Sequence, residues 1–332
     1  MRRRRLAIRR EVRNGEFLYF RGRTRIRRAR EIRRIESIGV PPAWTNVEVS
    51  GSSSAKVLAR GQDAAGRTQS IYHPNYRRKQ DRKKFDRMVR FAQALPRLRA
   101  QVDRDLRRRN LTIDLATACV VRLLDRLYLR IGNSEYTRRH GSFGITTLQK
   151  QHVNLQGGNV EFTYLGKSGK HQRHRLRDIR IVRVVDHLMQ EPGPELFQYF
   201  DDHKNLHELS SRDVNRYIHK HLGPEFSAKD FRTWGATVIT TRALMQCDPV
   251  ELRDPGGASR AMRSAIREVA DALGNTPAVA RSSYIDPRIL SAFEHPDVIE
   301  RVRQQQSRLR RRKYQEVDEQ SALALLAFLR AQ

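Results

Sequence analysis

Apolar residues recur along this chain with two different periods, and the change between them divides it. From Glu16-Phe17-Leu18-Tyr19-Phe20 onward, short strand-like runs alternate with turn chemistry. Val47-Glu48-Val49 and Lys56-Val57-Leu58-Ala59-Arg60 alternate as half-buried strands do. Pro41 and Pro42 deny helix to residues 38–44, which read as extended. Residues 63–67 form a turn into a further strand over 68–73. The texture changes across the basic run 76–84. Beyond it Phe85, Met88, Val89, Ala92 and Leu95 follow a helical spacing. Further helices are predicted over 111–129, 179–189, 211–221, 231–243, 259–273 and 277–284. In the first of these Arg122, Asp125 and Arg126 take the wet side. Residues 322–329 read as one side of a terminal helix, and the Pro/Gly-rich stretch 248–257 as a loop. A β-interlude interrupts the helices. Val160, Phe162 and Tyr164 share one face against Glu161 and Thr163, with Gly157-Gly158-Asn159 turning the chain before and Gly166-Lys167-Ser168-Gly169 after. Lys167 therefore stands at a hairpin tip. The expected class is α+β: a small β-rich N-terminal domain (residues 1–80, including an Arg-dense stretch 1–34 read as a solvated arm) and a larger, mainly α-helical domain with a β-hairpin (residues 81–332).

Charge narrows the partners. The 332 residues carry 66 Lys and Arg against 36 Asp and Glu, a formal net charge of +30. Residues 1–110 hold 32 of the basic and 10 of the acidic residues. Such an excess favours a polyanion, because each phosphate neutralised releases counterions. By itself it fits ribosomal, RNA-binding and membrane-surface roles equally well. Two cysteines, Cys119 in an apolar run and Cys247, imply no disulfide framework and a reducing compartment. His203/His207 and His219/His221 lack the cysteine or carboxylate companions of a metal site, so no metal is expected. No apolar run approaches the ~20 residues of a membrane span, and the basic N-terminus has no apolar core of a secretory signal.

The chemistry concentrates in five short words. Arg130 stands in Leu129-Arg130-Ile131-Gly132-Asn133, and Lys167 in Tyr164-Leu165-Gly166-Lys167-Ser168-Gly169-Lys170. Arg232 stands in Lys229-Asp230-Phe231-Arg232-Thr233-Trp234, Asn275 in Leu273-Gly274-Asn275-Thr276-Pro277, and Tyr284 in Ser282-Ser283-Tyr284-Ile285-Asp286. Taken singly each is ordinary: a helix-end arginine, a turn lysine, a surface helix arginine, a helix C-terminal pair, a packing tyrosine. Gly166-Lys167-Ser168 also suggests a phosphate-binding loop, but Glu161 stands where that motif needs glycine. Jointly, in this order, the words resemble the motifs of type IB DNA topoisomerases in their small poxvirus-like and bacterial form, over roughly residues 12 to 300.

The resemblance implies a type IB topoisomerase fold: a β-rich DNA-clamp domain followed by a helical catalytic domain, a monomer closing as a clamp on duplex DNA. It implies Tyr284 as nucleophile, forming a 3′-phosphotyrosine and letting the DNA rotate before religation, with neither ATP nor metal. It implies Arg130 and Arg232 as clamps on the phosphate oxygens, Asn275 as a further donor, and Lys167 as the acid for the leaving 5′-oxygen, helped by Lys229. Arg67 and Tyr72, in Gly66-Arg67-Thr68-Gln69-Ser70-Ile71-Tyr72-His73, match the family's DNA-contacting strand, and Tyr136 and Lys170 are further expected DNA contacts. This sequence departs from relatives at Asn275, where many have histidine, at Ser168, often aspartate, and at Ser70, commonly aromatic. No cofactor or membrane partner is implied, and the compartment is cytoplasmic, on the bacterial nucleoid. Two alternatives stay open here. A tyrosine recombinase or integrase shares the chemistry but usually has His-x-x-Arg where Lys229-x-x-Arg232 stands. A catalytically silent basic nucleic-acid-binding protein explains the charge but not the ordered motifs.

Overall fold

The computed structural model describes residues 6–254, 256–308 and 316–331. Two compact units divide the chain, Met1–Lys84 and Phe85–Gln332.

The first unit is a six-stranded antiparallel sheet with one covering helix. Its strands are β1 (Ile8–Arg13), β2 (Glu16–Arg21) and β3 (Thr24–Arg25), then, after helix α1 (Ala29–Glu36), β4 (Thr45–Val49), β5 (Val57–Gln62) and β6 (Thr68–Tyr72). Their order across the sheet is β3-β2-β1-β4-β5-β6. Ile8, Tyr19, Val47, Val49 and Ala59 close over Ile35 of α1.

The solvated arm predicted for residues 1–34 is corrected from Ile8 onward. Asn14 and Gly15, at φ 50° and 80°, make a two-residue hairpin turn that pairs Arg13 with Glu16 and β1 with β2. The arginines do not prevent this, because a strand turns alternate side chains to opposite faces. Ile8 takes the core, while Arg9 and Arg13 lie over the Phe20 ring and Arg10 over Phe17. The remainder of the Arg-rich start, residues 1–5, lies outside the described residues.

The second unit is mainly helical. Its helices are α2 (Pro74–Asp105, belonging here from Phe85), α3 (Ile113–Leu127), α4 (Ser134–His140), α5 (Ile179–Gln190), α6 (Ser211–Leu222) and α7 (Ala228–Gln246), followed by α8 (Pro249–Arg253), α9 (Gly257–Ala272), α10 (Pro277–Ser283), α11 (Pro287–Ser291), α12 (Asp297–Arg308) and α13 (Val317–Ala331). Between α4 and α5 lies an antiparallel sheet of β7 (Val153–Gln156), β8 (Asn159–Leu165) and β9 (His171–Arg177), with β8 central. A short hairpin, β10 (Gln198–Phe200) with β11 (Leu206–Glu208), precedes α6. The α+β architecture is the one expected. Residues 248–257, expected as loop, contain α8: the Asp248 carboxylate caps it by accepting from Val250 N at 2.8 Å, and Pro249 opens its first turn.

α7 is the centre of this unit. Every residue from Asp230 to Thr241 is buried, so it is a helix wrapped on all sides, not an amphipathic one. Behind it lies a buried ionic group. Arg99 of α2 makes paired bonds to Asp125 of α3 (2.8 and 2.8 Å) and to Glu319 of α13 (2.7 and 2.7 Å), and Trp234 of α7 donates to Glu319 at 3.1 Å. Asp125, expected on the wet side of its helix, is therefore in the core. Arg122, likewise expected wet, is largely enclosed between Asp103 and Asp178, and only Arg126 of the three is exposed. The helical period marks the face but cannot show which polar residues on it find partners. Among the described residues no helix is long and apolar enough to cross a membrane.

Burial opposes the charge on Glu319, but Arg99 and the Trp234 donor hold its carboxyl below the ordinary range. Removing one partner of such a group leaves a buried charge uncompensated, at about 3–5 kcal/mol. Asp125 still pairs Arg99, so we expect Glu319→Ala to lose about 3 kcal/mol. The measurement is urea unfolding, with the midpoint lowered and the slope unchanged.

Candidate active site

Three chain breaks between helices bring the site together. α3 ends at Tyr128, which adopts the left-handed conformation (φ 52°), and the chain leaves it through Leu129 to Arg130. The Arg130 backbone is pinned by Ile145 N donating to its carbonyl at 2.8 Å. Beneath it two glycines cross: a Cβ on Gly144 would stand 2.5 Å from Gly132 Cα. α9 ends at Gly274 (φ 58°), and Asn275 N reaches back to the Ala270 carbonyl at 2.8 Å. Thr276 and Pro277 then start α10, which delivers Tyr284 at its C-terminal end.

Arg232 enters from the second turn of α7. That helix starts with Ser227, whose backbone N and Oγ both donate to Asp230 (2.8 and 3.0 Å), and Asp230 is paired in turn with Arg87. The ring of Tyr128 lies flat on α7 at Gly235, where a Cβ would stand 2.5 Å from Tyr128 Cε1. This contact lets the Arg232 guanidinium reach the ends of two other helices. Its Nη1 donates to the Tyr128 carbonyl at 2.5 Å and its Nη2 to the Leu273 carbonyl at 2.9 Å. Its Nε faces the Tyr284 hydroxyl at 3.4 Å, and its Cζ lies 5.0 Å from the Tyr284 ring centroid. Arg232 is 4% exposed, and among the described residues it meets no carboxylate.

Arg130 donates to the Gly274 carbonyl at 3.2 Å and to the Asn275 side-chain oxygen. That leaves Asn275 Nδ2 buried with no hydrogen-bond partner among the described residues. A buried, unpaired donor is costly, so this one waits for an acceptor. The cluster therefore presents two guanidiniums, one idle amide and a phenol, and no anion of its own.

The electrostatics follow. Burial alone would raise the Tyr284 phenol, but Arg232, Arg130 and Lys229 outweigh it and hold the phenol below its ordinary value. Arg130 is itself lowered, by burial and by the Arg232 charge. Tyr164 is pushed up to about 12, mainly by burial. His174, stacked on Tyr164 with ring centroids 6.2 Å apart, is pushed down to about 4 by burial and then by Arg232 and Arg130. It is neutral at neutral pH.

Arg130 is thus bonded to Asn275 and Arg232 to Tyr284, and the two arginines also grip the adjacent carbonyls of Gly274 and Leu273. Lys229 is exposed in the first turn of α7, close enough for its charge to act on Tyr284. Lys167 is exposed in the turn between β8 and β9 and is not hydrogen-bonded to the other four. Lys170, in the same turn, donates to the Asn275 carbonyl at 3.2 Å. Tyr136 lies in α4, with its side chain outside the described residues. In the first unit, Arg67 is exposed and held by Asp63 (2.8 and 2.9 Å), and Tyr72 is exposed beside Tyr76, whose ring lies under Lys56. Among the described residues no group of three or more His, Cys, Asp or Glu is placed to hold a metal.

Several contributions could not be read from the motif words. Tyr128 and Leu273 act through backbone carbonyls, which no side-chain pattern reveals. Gln172 and His174 had a signal. They alternate with Leu176 on the face of β9 that opposes Tyr164, Phe162 and Val160, so they are polar residues where apolar ones are expected.

Comparison with known proteins gives the family. The sequence model of the family described as eukaryotic DNA topoisomerase I, catalytic core, matches residues 73–325, and that described as bacterial DNA topoisomerase IB, N-terminal domain, matches residues 16–63. The match thus runs past residue 300, where the motif resemblance was expected to end, and takes in α12 and most of α13. DNA topoisomerase 1B of Acanthamoeba polyphaga mimivirus is 29% identical over 273 residues, covering 80% of this chain and 81% of the relative. DNA topoisomerase 1B of vaccinia virus (strain Copenhagen) is 20% identical over 273 residues, covering 81% and 83%. Among solved structures, the XerH site-specific recombinase in a post-cleavage complex with palindromic difH aligns at TM-score 0.38 and 15% identity, over 63% of this chain and 50% of that one.

The neutral His174 gives the fold a pH dependence of definite sign. Its ordinary value is 6.5 and its folded value about 4, so between these the unfolded chain binds the extra proton. The stability is complete above pH 6.5 and falls as pH drops towards 4. We expect the wild type to lose about 2 kcal/mol more than His174→Gln between pH 7 and pH 5, measured by urea unfolding at both values.

Proposed function

The chain belongs to the type IB DNA topoisomerase family, and from that premise we propose that Tyr284 breaks and rejoins one strand of duplex DNA through a phosphotyrosine ester, relaxing supercoils. Membership sets aside the reading as a silent basic binding protein, and the topoisomerase catalytic core rather than a recombinase is what the sequence matches.

One observation carries the mechanism: Arg130 and Arg232 converge on Tyr284 and Asn275 with no carboxylate among them. Two adjacent cations, Arg232 buried and Arg130 half-buried, repel, and a bound phosphodiester relieves that repulsion. Its two non-bridging oxygens would take the guanidiniums, which never titrate and offer forked donors, and the idle Nδ2 of Asn275. The phenol oxygen then forms a bond to phosphorus while the bond from phosphorus to the 5′-oxygen breaks. The phenol proton passes to solvent, a loss favoured by the surrounding cations. A proton from Lys167 goes to the leaving 5′-oxygen, with Lys229 assisting. The product is a 3′-phosphotyrosine and a free 5′-hydroxyl. Because the ester keeps the bond energy, the free end rotates and religation is the same step reversed, without ATP. The negative charge of the transition state falls on arginines, so no metal ion is called for. The protein acts as a monomer, with Arg67, Tyr72, Tyr136 and Lys170 as DNA contacts.

The test is trapping of a covalent protein–DNA adduct in excess EDTA without nucleotide. Wild type should form the adduct and relax a supercoiled plasmid. Tyr284→Phe, which loses only the phenolic oxygen, should keep non-covalent DNA binding and lose both activities. Relaxation by that variant, or strict need for Mg²⁺ or ATP, overturns the reading. Arg130→Ala should slow single-turnover cleavage by about 10²–10³-fold, the usual effect of removing one preorganised oxyanion donor.

A further inference from the structure

Gln172 is a polar residue on a face that the sheet otherwise fills with apolar and aromatic groups. It lies opposite Tyr164 on β8 and is 7% exposed. It occupies the space between two glycines. A Cβ on Gly166 would stand 2.7 Å from Gln172 Cγ, and one on Gly274 would stand 2.2 Å from Gln172 Oε1. Gly166 opens the turn that carries Lys167, and Gly274 precedes Asn275. The side-chain amide donates to the carbonyl of the adjacent His171 at 3.1 Å and makes no hydrogen bond to either loop among the described residues. What Gln172 supplies between them is bulk.

The turn itself is closed at its base. Gly166 N donates to the Lys170 carbonyl at 2.8 Å, Gly169 N donates to the Gly166 carbonyl at 3.2 Å, and Ser168 takes the left-handed conformation (φ 63°). These bonds tie the two ends of the turn together where it leaves the sheet. The bond from Lys170 Nζ to the Asn275 carbonyl draws it towards the phosphate-clamping residues. Something must oppose that pull and set the separation.

We propose that Gln172 is a positioning residue, a wedge between Gly166 and Gly274 that fixes where the turn bearing Lys167 stands relative to Arg130 and Asn275. This rests on the reading of Lys167 as the acid for the 5′-oxygen. Gln172 does not touch DNA; it acts through the turn. A displacement of about 1 Å at a reacting group can cost on the order of 10²-fold in rate.

The experiment is single-turnover cleavage of two substrates, one with the ordinary 5′-bridging oxygen and one with sulfur there. Sulfur leaves as a thiolate without a proton, since a free thiol has a pKa near ~8.5, far below an alcohol's. Gln172→Ala should cleave the oxygen substrate about 10- to 100-fold more slowly than wild type and the sulfur substrate at close to the wild-type rate, with unchanged non-covalent DNA binding. Gln172→Met, of similar length and bulk, should recover most of the rate on oxygen. Lys167→Ala, measured alongside, should show the same rescue by sulfur, and adding Gln172→Ala to it should cost nothing more. Rescue of Lys167→Ala but not of Gln172→Ala sinks the wedge and leaves the acid assignment standing. Failure of sulfur to rescue Lys167→Ala overturns the acid assignment and the wedge with it. Full oxygen activity in Gln172→Ala, or a Gln172→Met enzyme as slow as the alanine variant, also overturns the wedge. If Gln172→Ala unfolds, the methionine variant decides alone.

Discussion

A buried positive charge without a negative one is the constraint on which the second unit is organised. Arg232 lies in the most enclosed helix of the protein, and its guanidinium is neutralised by no carboxylate among the described residues. Desolvating a cation is expensive unless its donors are used. Here they are used on backbone carbonyls at the ends of α3 and α9, where helix dipoles place partial negative charge. The arginine thus holds three helices in register by being incompletely satisfied. In the proposed reaction a phosphodiester would supply the missing charge, so the enclosed cation that lacks a counter-charge in the free protein would be the one that recruits the substrate.

The same logic explains the contrast with Arg99. That guanidinium is equally buried but has two carboxylates, and nothing about it invites a ligand. One arginine fastens the back of α7 while the other is exposed in function, if not in area, at its front. Their difference lies in the charge of their partners: carboxylates for Arg99, neutral carbonyls and a phenol for Arg232. The neutral state of His174 belongs to this picture as well: burial first, and then the Arg232 and Arg130 charges, disfavour a third cation there, so the histidine gives up its proton instead.

Much of the architecture could be read from the chain. The alternation in residues 47–72, the period after Phe85 and the glycine-bounded strand with Val160, Phe162 and Tyr164 all correspond to observed elements, because in each the apolar period is unbroken. Strand β1 escaped because arginine density masked a period of two, although Asn14-Gly15 was a hairpin signal in plain view. Asp125 escaped because burial of a charge depends on a partner 194 positions away, Glu319, by way of Arg99. At the site, Arg130, Arg232, Asn275 and Tyr284 were named from their local words and are found together. The roles given to them are a separate matter, tested by chemistry rather than by proximity. What no local word could give is the scaffolding: the Tyr128 and Leu273 carbonyls, Gly235 under an aromatic ring, and a glutamine between two glycines.

Chain order gives the buried ionic group a temporal meaning. Synthesis proceeds from the N-terminus, so α2, α3 and α7 leave the ribosome before α13. Arg99 then has Asp125 but not Glu319, and the Trp234 indole has no acceptor there. Every side chain of the reactive cluster has been made by Tyr284, yet the unit that must hold them is not finished until residue 319 emerges. A nascent chain therefore carries Tyr284 for some time before the α13 carboxylate behind α7 is in place. Completion of the fold, rather than appearance of the tyrosine, is what brings Arg130, Arg232, Asn275 and Tyr284 together on a finished support.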